Sequence, residues 1–209
     1  IRTPVGGRRG YGPTHSQSIE KHFLGIPGLK VLALNQLIDP ELVYNSASKE
    51  NNPILMIENK MLYTRKLYEN FVDGYELSTI GEKYPVAKLF SNDDDPVFTI
   101  VSYGGVVNEI LLALKNIFIE EEYVCDLFCP TEISNIDIPG LVKSISITKK
   151  LLIVEEGSSY AAFGSELVAV LLEKKTVDFQ LFRISNNGII PSSRELELEL
   201  LPSPQKITS

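Results

Sequence analysis

Residues 97–119 read VFTIVSYGGVVNEILLALKNIFI, and this stretch decides the fold class. The segment 97–103 predicts a buried strand, two glycines make a turn, and the apolar periodicity from 106 to 119 predicts a helix. The same rhythm then continues, with strands predicted at 123–128, 151–154 and 179–184 and helices at 138–147 and 164–174. Strands that alternate with helices of about 10–15 residues form right-handed βαβ units. We therefore predict an α/β domain, doubly wound around a mostly parallel sheet.

The first part of the chain has a shorter version of this alternation. Apolar periodicity and capping residues predict helices at 15–24 and 40–48 and strands at 30–34 and 54–57. The strand at 54–57 shows no polar alternation, which is typical of a parallel strand buried on both faces. This part is therefore also predicted to be α/β.

The region between the two parts, from 64 to 96, is polar and ends in SNDDDP. Such a composition is typical of a loop or a linker. We therefore predict a first domain at 1–85, a linker at 86–96 and a second domain at 97–209. The proline-containing tail after Asn187 is predicted to wrap over another surface of the protein.

The composition argues against several classes of function. The chain has 209 residues, 44% of them hydrophobic, and a formal net charge of −7 from 20 Lys and Arg against 27 Asp and Glu. This balance argues against a surface for nucleic acid or anionic membrane, because both need clustered positive charge. No run of about 18 apolar residues occurs, so no segment is predicted to span a membrane.

Two features concern the context of the chain. It begins with Ile1 inside what reads as a continuing segment, so we expect further sequence upstream.

Cys125 and Cys129 stand on a predicted strand at a separation of roughly 13 Å, whereas a disulfide needs Cα atoms within about 7 Å. We therefore predict buried thiols, which fit a reducing compartment.

Ligands of an open α/β sheet bind beyond the carboxyl ends of its strands, and three such places carry candidate residues. Gly104 and Gly105 lie between a strand and a helix, where backbone amides could face an anion or the glycines could simply allow a tight turn. Their spacing matches neither the dinucleotide nor the P-loop fingerprint. Glu155 and Glu156 follow the predicted strand 151–154, and because neighbours on a strand point to opposite faces, we expect one in solvent and one at an interface.

The strongest candidate is His15, in the stretch GYGPTHSQ at 10–17. The pattern predicts that it lies in the first turn of a helix, after a glycine-rich approach. There the backbone N–H groups and the positive end of the helix dipole disfavour imidazolium and prepare the ring to transfer a proton near neutral pH. A packed or capping histidine is the alternative.

Several motifs occur in the order and at the spacing of one family. They are RTP (2–4), GPTHSQS (12–18), PGLKV (27–31), NPI (52–54), ENKMLY (58–63), TIVSYGG (99–105), VEE (154–156) and GSE (164–166). With them the sequence resembles the β subunits of the E1 components of 2-oxo acid dehydrogenase complexes, thiamine-diphosphate-dependent relatives of transketolase. The resemblance fades only in the tail. It implies the second half of a pyrimidine-binding-type α/β domain, followed by a transketolase C-terminal-type domain.

The resemblance also implies site residues and cofactors. His15 matches the family's active-site histidine, which serves proton transfers. Ala47, Glu50 and Asn52 match a potassium site in which many members have Asp in place of Glu50. The glutamate that activates thiamine would lie upstream of Ile1, and the α subunit would hold thiamine diphosphate and Mg²⁺, since no Gly-Asp-Gly motif occurs here. We expect no catalysis by this chain alone.

The partners implied by the resemblance are the E1 α subunit or an α-like portion, a second β chain, and the E2 acyltransferase with its lipoyl domain. The implied activity of the complete E1 is oxidative decarboxylation of a 2-oxo acid, with transfer of the acyl group to lipoamide. Two alternatives stay open: a non-catalytic module for assembly or E2 binding, and another transketolase-like activity such as ketol transfer between sugars. Ser16 and Gln17 favour the E1 branch over the sugar branch.

Overall fold

The computed structural model describes residues 1–68, 72, 74–174 and 177–209. Within them the strands form two sheets, one of three strands and one of six. The strands are β1 (Arg2–Val5), β2 (Lys30–Ala33), β3 (Ile54–Asn59), β4 (Glu76–Ile80), β5 (Val86–Phe90), β6 (Phe98–Ser102), β7 (Cys125–Pro130), β8 (Lys150–Val154) and β9 (Gln180–Ile184). The α-helices are α1 (Gly12–His15), α2 (Pro40–Ala47), α3 (Val107–Glu121), α4 (Leu141–Thr148), α5 (Phe163–Glu173), α6 (Arg194–Leu200) and α7 (Pro204–Thr208). Short 3₁₀ turns lie at Glu20–Phe23, Lys60–Thr64 and Gly104–Val106.

The smaller sheet has the strand order β1-β3-β2, and its strands are parallel. The central strand β3 is buried along nearly all of its length, as its apolar sequence predicts. α2 begins as predicted, since Asp39 accepts a hydrogen bond from the Glu41 amide at 2.8 Å and Pro40 takes the first helical position. β1 is absent from the sequence prediction because polar residues and Pro4 break its apolar pattern. It pairs on one side only, where a proline is tolerated.

The larger sheet has the order β4-β5-β7-β6-β8-β9. The four strands β7, β6, β8 and β9 run parallel to one another, and α3, α4 and α5 make the crossovers between them. A mostly parallel, doubly wound α/β sheet is therefore confirmed. Its elements lie close to the predicted ones because each has a strong apolar period.

The region predicted to be irregular contains two strands. β4 and β5 pair antiparallel with each other, and β5 pairs antiparallel with β7. β5 thus occupies the start of the segment 86–96 that we predicted to be a linker. Lys88 interrupts its apolar run and hides the strand in the sequence, whereas in the fold Lys88 forms an ion pair with Asp126 of β7 at 3.1 Å. The division of the chain into two domains stays a prediction.

Backbone hydrogen bonds and the C-terminal tail connect the two parts of the chain. The Ala33 amide donates to the Thr131 carbonyl at 2.8 Å, and the Ile133 amide donates to the Val31 carbonyl at 2.9 Å. The tail forms α6 and α7, and α7 packs against α3. Among the residues described, no helix is long and apolar enough to cross a membrane.

Candidate functional site

His15 is exposed, at the last residue of the short helix α1. Its backbone carbonyl accepts a hydrogen bond from Lys60 Nζ at 3.0 Å, which ties it to the end of β3. The predicted helix at 15–24 is wrong, because α1 begins at Gly12 and ends where the Ser16 amide donates to the Gly12 carbonyl at 3.0 Å. The imidazole therefore does not lie at the positive end of the helix dipole. Its exposure does allow it to meet a group on another chain or segment.

Glu155 and Glu156 are both buried, so the prediction that one of them faces solvent is wrong. They follow β8, and hydrogen bonds and an ion pair compensate their burial. Glu155 accepts from the Gly164 amide at 3.1 Å, at the start of α5, and forms an ion pair with Arg183 of β9 at 2.9 Å. Glu156 accepts from the Gly7 amide at 2.7 Å. Glu156 therefore links the second part of the chain to the loop before His15.

A third buried carboxylate, Glu20, reaches the same region from the 3₁₀ turn after His15. The Tyr103 hydroxyl lies 3.0 Å from Glu20 Oε1 and 3.2 Å from Glu155 Oε1, so two carboxylates share one donor. The pKa of Glu20 is raised to about 7, chiefly by burial. The negative charges of Glu156 and Glu155 raise this pKa further, whereas hydrogen bonds to the carboxylate act to lower it. An adjoining cavity of about 20 Å³ has room for one water molecule. Sequence reasoning missed Glu20, since nothing in its local pattern signals burial.

The turn at Gly104 and Gly105 does not form the anion site that we considered. A Cβ atom on Gly105 would lie 2.2 Å from Asn59 Cγ, so the Asn59 side chain occupies the space beside the turn. Glu20 and Glu156 line the adjoining cavity, and their carboxylates would disfavour an anion. Gly105 serves instead to let the end of β3 approach the start of α3 closely.

Sequence reasoning also missed the group around Glu58, near the end of β3. This carboxylate is 2% exposed and accepts hydrogen bonds from Arg2 Nε at 2.6 Å, from the Tyr63 hydroxyl at 2.7 Å and from the Tyr44 hydroxyl. Burial acts to raise the pKa of Glu58, but the hydrogen bonds from these donors outweigh it and lower the pKa. The group borders a cavity of about 320 Å³. Its signal in the sequence is a charged residue directly after the apolar run 54–57.

The residues that match the potassium site lie between α2 and β3. The Glu50 amide donates to the Ala47 carbonyl at 3.2 Å. The Glu50 carboxylate lies 3.2 Å from Lys83 Nζ and 3.9 Å from Lys30 Nζ, and Asn52 lines a neighbouring groove with Lys30. Two ammonium groups therefore already balance the carboxylate that a cation would need.

Cys125 and Cys129 are free, buried thiols on β7, as predicted. Burial raises the pKa of Cys125 to about 12, and it also raises the pKa of Cys129 well above its ordinary value. In the part of the chain that the structure describes, no group of three or more His, Cys, Asp or Glu side chains could hold a metal ion.

Comparison with known families and sequences places this site in context. The family described as "Transketolase, C-terminal domain" matches residues 91–207, which is more than half of the chain. The pyruvate dehydrogenase E1 component subunit beta of Gracilaria tenuistipitata var. liui is 28% identical, over 99% of this chain and 62% of its own length. The subunit of that name from Porphyra purpurea is 29% identical, over 99% of this chain and 61% of its own length. The chain thus spans about three fifths of the length of these relatives, and the resemblance indicated by its motifs is confirmed.

Two solved structures share the fold. The structure titled "Split gene transketolase, inactive beta4 tetramer" has a TM-score of 0.71 at 17% identity and covers 99% of this chain and 64% of that one. The transketolase of Campylobacter jejuni has a TM-score of 0.61 at 13% identity and covers 99% of this chain and 30% of that one. At these identities the similarity supports the α/β fold alone.

Proposed function

The chain belongs to the family of the transketolase C-terminal domain. Within this family, we propose that it is part of the E1 component of a 2-oxo acid dehydrogenase complex. In the complete E1, a 2-oxo acid is oxidatively decarboxylated with the help of thiamine diphosphate, and its acyl group passes to lipoamide. The observation that carries this proposal is the similarity of nearly the whole chain to pyruvate dehydrogenase E1 β subunits.

The contribution of this chain to the reaction is the imidazole of His15. Its ring is exposed, and its backbone is held by Lys60, so the ring can face a cofactor that another segment binds. When bound, thiamine diphosphate supplies the electron sink for decarboxylation. A ring nitrogen of His15 would give a proton to the substrate oxygen and take it back from the resulting hydroxyl when the acyl group leaves. The acyl carbon bonds to one lipoyl sulfur as the S–S bond breaks, and the second sulfur takes its proton from solvent.

The remaining cofactor contacts are assigned to other segments. The turn at Gly105 faces Asn59 and carboxylates, which do not suit a diphosphate. We assign the diphosphate and Mg²⁺ to the E1 α subunit or an α-like portion, and the glutamate that activates thiamine to a part of the enzyme other than the described residues. The isolated chain is therefore expected to be inactive.

Potassium binding by Ala47, Glu50 and Asn52 stays a proposal whose support is the sequence pattern. Lys83 and Lys30 compete with a cation for the Glu50 carboxylate. Thermal melting in KCl and in choline chloride at equal ionic strength tests it. A higher Tm in KCl than in choline chloride would support the site if Glu50→Gln abolishes this difference. Equal Tm values of the wild type in the two salts would contradict potassium binding.

The proposed partners are the E1 α subunit or α-like portion, a second β chain, and E2 with its lipoyl domain. They are supported by the relatives, which are named as subunits of a larger component. The two free thiols fit a reducing compartment, bacterial cytoplasm or mitochondrial matrix.

The experiment uses the native assembly, purified through an affinity tag on this polypeptide, with His15→Ala as the test variant and His22→Ala as the matched control. His22 is also an exposed histidine, in the 3₁₀ turn that follows. Reductive acylation of lipoamide should fall by about 10²–10⁴-fold in His15→Ala and stay unchanged in His22→Ala, because a positioned acid–base group contributes that much.

The other functions that we considered are outcomes of the same assay. An assembly that binds E2 but shows no activity with any 2-oxo acid would be a non-catalytic module. An assembly that transfers ketol groups between sugars would belong to the transketolase branch. Acylation that is unaffected by His15→Ala would contradict the role of the imidazole.

A further inference from the structure

The loop between β1 and α1 has an unusual backbone. Gly6, Arg8, Gly10 and Gly12 all have positive φ angles. Residues 6–11, between β1 and α1, form neither helix nor strand, so their amide groups need acceptors from elsewhere in the protein. The loop leads directly into α1, which ends at His15, so the conformation of the loop decides where His15 lies.

Two buried carboxylates from the second part of the chain provide acceptors for this loop. The Gly7 amide donates to Glu156 Oε1 at 2.7 Å, and the Gly10 amide donates to Glu197 Oε2 at 2.5 Å. Glu197 lies on α6 and is fully buried, and its Oε1 has no hydrogen-bond partner among the described residues. Because burying a carboxylate is unfavourable without hydrogen bonds, the position of Glu197 makes sense only when the loop lies against it.

The tail also contacts the glycines of the loop closely. A Cβ atom on Gly10 would lie 2.9 Å from the backbone nitrogen of Arg194, and one on Gly7 would lie 2.5 Å from Leu201 Cδ1. The contact at Gly10 is with backbone, which cannot move aside as a side chain can. Glycine at these positions therefore lets the tail and the loop pack against each other.

Arg8 adds a third connection between the loop and the second part of the chain. Its side chain is buried, its Nη2 donates to the Pro202 carbonyl at 2.7 Å, and its Nε lies 3.6 Å from Glu109 Oε1. Arg8 is therefore held by Glu109 on α3 and by the Pro202 carbonyl just after α6.

From these contacts we propose that the C-terminal tail, residues 188–209, positions His15 through the glycine-rich loop 6–12, with Glu197 as the main positioning residue. Its catalytic consequence rests on the proposed function. The contact between tail and loop is testable without any activity.

The test compares Glu197→Ala with Glu197→Gln and with Glu199→Ala in the assembly. The Gln side chain keeps an oxygen that can accept from the Gly10 amide, so it should restore the contact. Glu199 is exposed on the same helix and serves as the matched control. Gly10→Ala disrupts the same contact from the side of the loop and covers the case in which Glu197→Ala does not fold.

The first readout is structural and needs no substrate. In Glu197→Ala and in Gly10→Ala, tryptic cleavage after Arg8 and Arg9 and amide hydrogen exchange in the loop should be faster by about tenfold or more. Exchange in α3 should stay as in the wild type, which separates release of the loop from general unfolding. Unchanged cleavage and exchange in both folded variants would overturn the proposal.

The second readout is kinetic. In Glu197→Ala, kcat should fall by up to about 100-fold, because a displaced catalytic group loses its geometry, whereas KM for the 2-oxo acid should stay the same. Glu197→Gln should regain most of this loss. If the loop is released but kcat is unchanged, the tail does not position His15. If the loop is released and the wild-type assembly turns over no 2-oxo acid, the contact stands and the proposed function fails.

Discussion

Replacing Glu20 by Gln should stabilise the protein at pH 8 and have a much smaller effect at pH 5. Glu20 is buried beside Tyr103, and the charges of Glu155 and Glu156 act on it from the loop after β8. Burial and the neighbouring negative charges destabilise the ionised form of this carboxyl group but not its neutral, protonated form. Gln has nearly the same shape and carries no charge at either pH.

The size of the effect follows from the pKa of Glu20, which burial raises from an ordinary value of 4.5 to about 7. Between these values the folded protein keeps a proton that the unfolded chain has released, so the free energy of unfolding falls as the pH rises. Each pKa unit is worth about 1.4 kcal/mol, so the loss through this interval is about 3 kcal/mol. Glu20→Gln should therefore gain about 3 kcal/mol over the wild type at pH 8 but less than about 1 kcal/mol at pH 5.

Urea unfolding at pH 5, 6, 7 and 8, followed by far-UV circular dichroism, measures this difference. The matched control is Glu82→Gln, because Glu82 is exposed and should show the pH dependence of the wild type. The difference in unfolding free energy between Glu20→Gln and wild type should grow from pH 5 to pH 8. A difference that stays flat, or one that Glu82→Gln reproduces, would refute the account of Glu20.

Three further predictions concern other buried groups. Glu58→Gln should lower the free energy of unfolding by about 1–3 kcal/mol near neutral pH, since it removes a charged acceptor from three donors. The deficit should shrink in acid, where the folded wild type also protonates this group; an equal deficit at pH 3 and pH 7 would contradict this. Cys125 and Cys129 should not react with a thiol reagent in the native protein and should both react in urea; rapid native labelling would contradict their burial. Gly105→Ala should destabilise by about 1–3 kcal/mol through its clash with the Asn59 side chain, whose Cβ also lies within 2.5 Å of the added Cβ. The loss should be smaller in an Asn59→Gly background, and equal losses in both would show that the clash is not the cause.

The second part of the fold could be predicted well from the sequence because each of its elements has its own apolar period. The strand β6 and the helix α3 lie almost where the stretch 97–119 places them. The strand β5 could not be predicted in the same way, because Lys88 finds its counter-charge, Asp126, on a strand far along the chain. Local patterns do not report such pairings.

The candidate site shows the same limit. His15 could be singled out from its motif, but its place at the end of α1 depends on contacts of the preceding loop with a tail almost the full chain length away. The burial of Glu20 and of Glu156 likewise results from the meeting of the two parts of the chain. Residue type and spacing identify such groups as polar, whereas only the assembled fold makes them buried.

The most direct test of the central proposal is release of labelled CO₂ from carboxyl-labelled 2-oxo acids by the native assembly, with thiamine diphosphate and Mg²⁺ present or withheld. We predict that CO₂ is released from pyruvate or a branched-chain 2-oxo acid only when thiamine diphosphate is present, and that His15→Ala impairs the subsequent acylation of lipoamide. An intact assembly that contains this chain and its partners but releases no CO₂ from any 2-oxo acid would contradict the account.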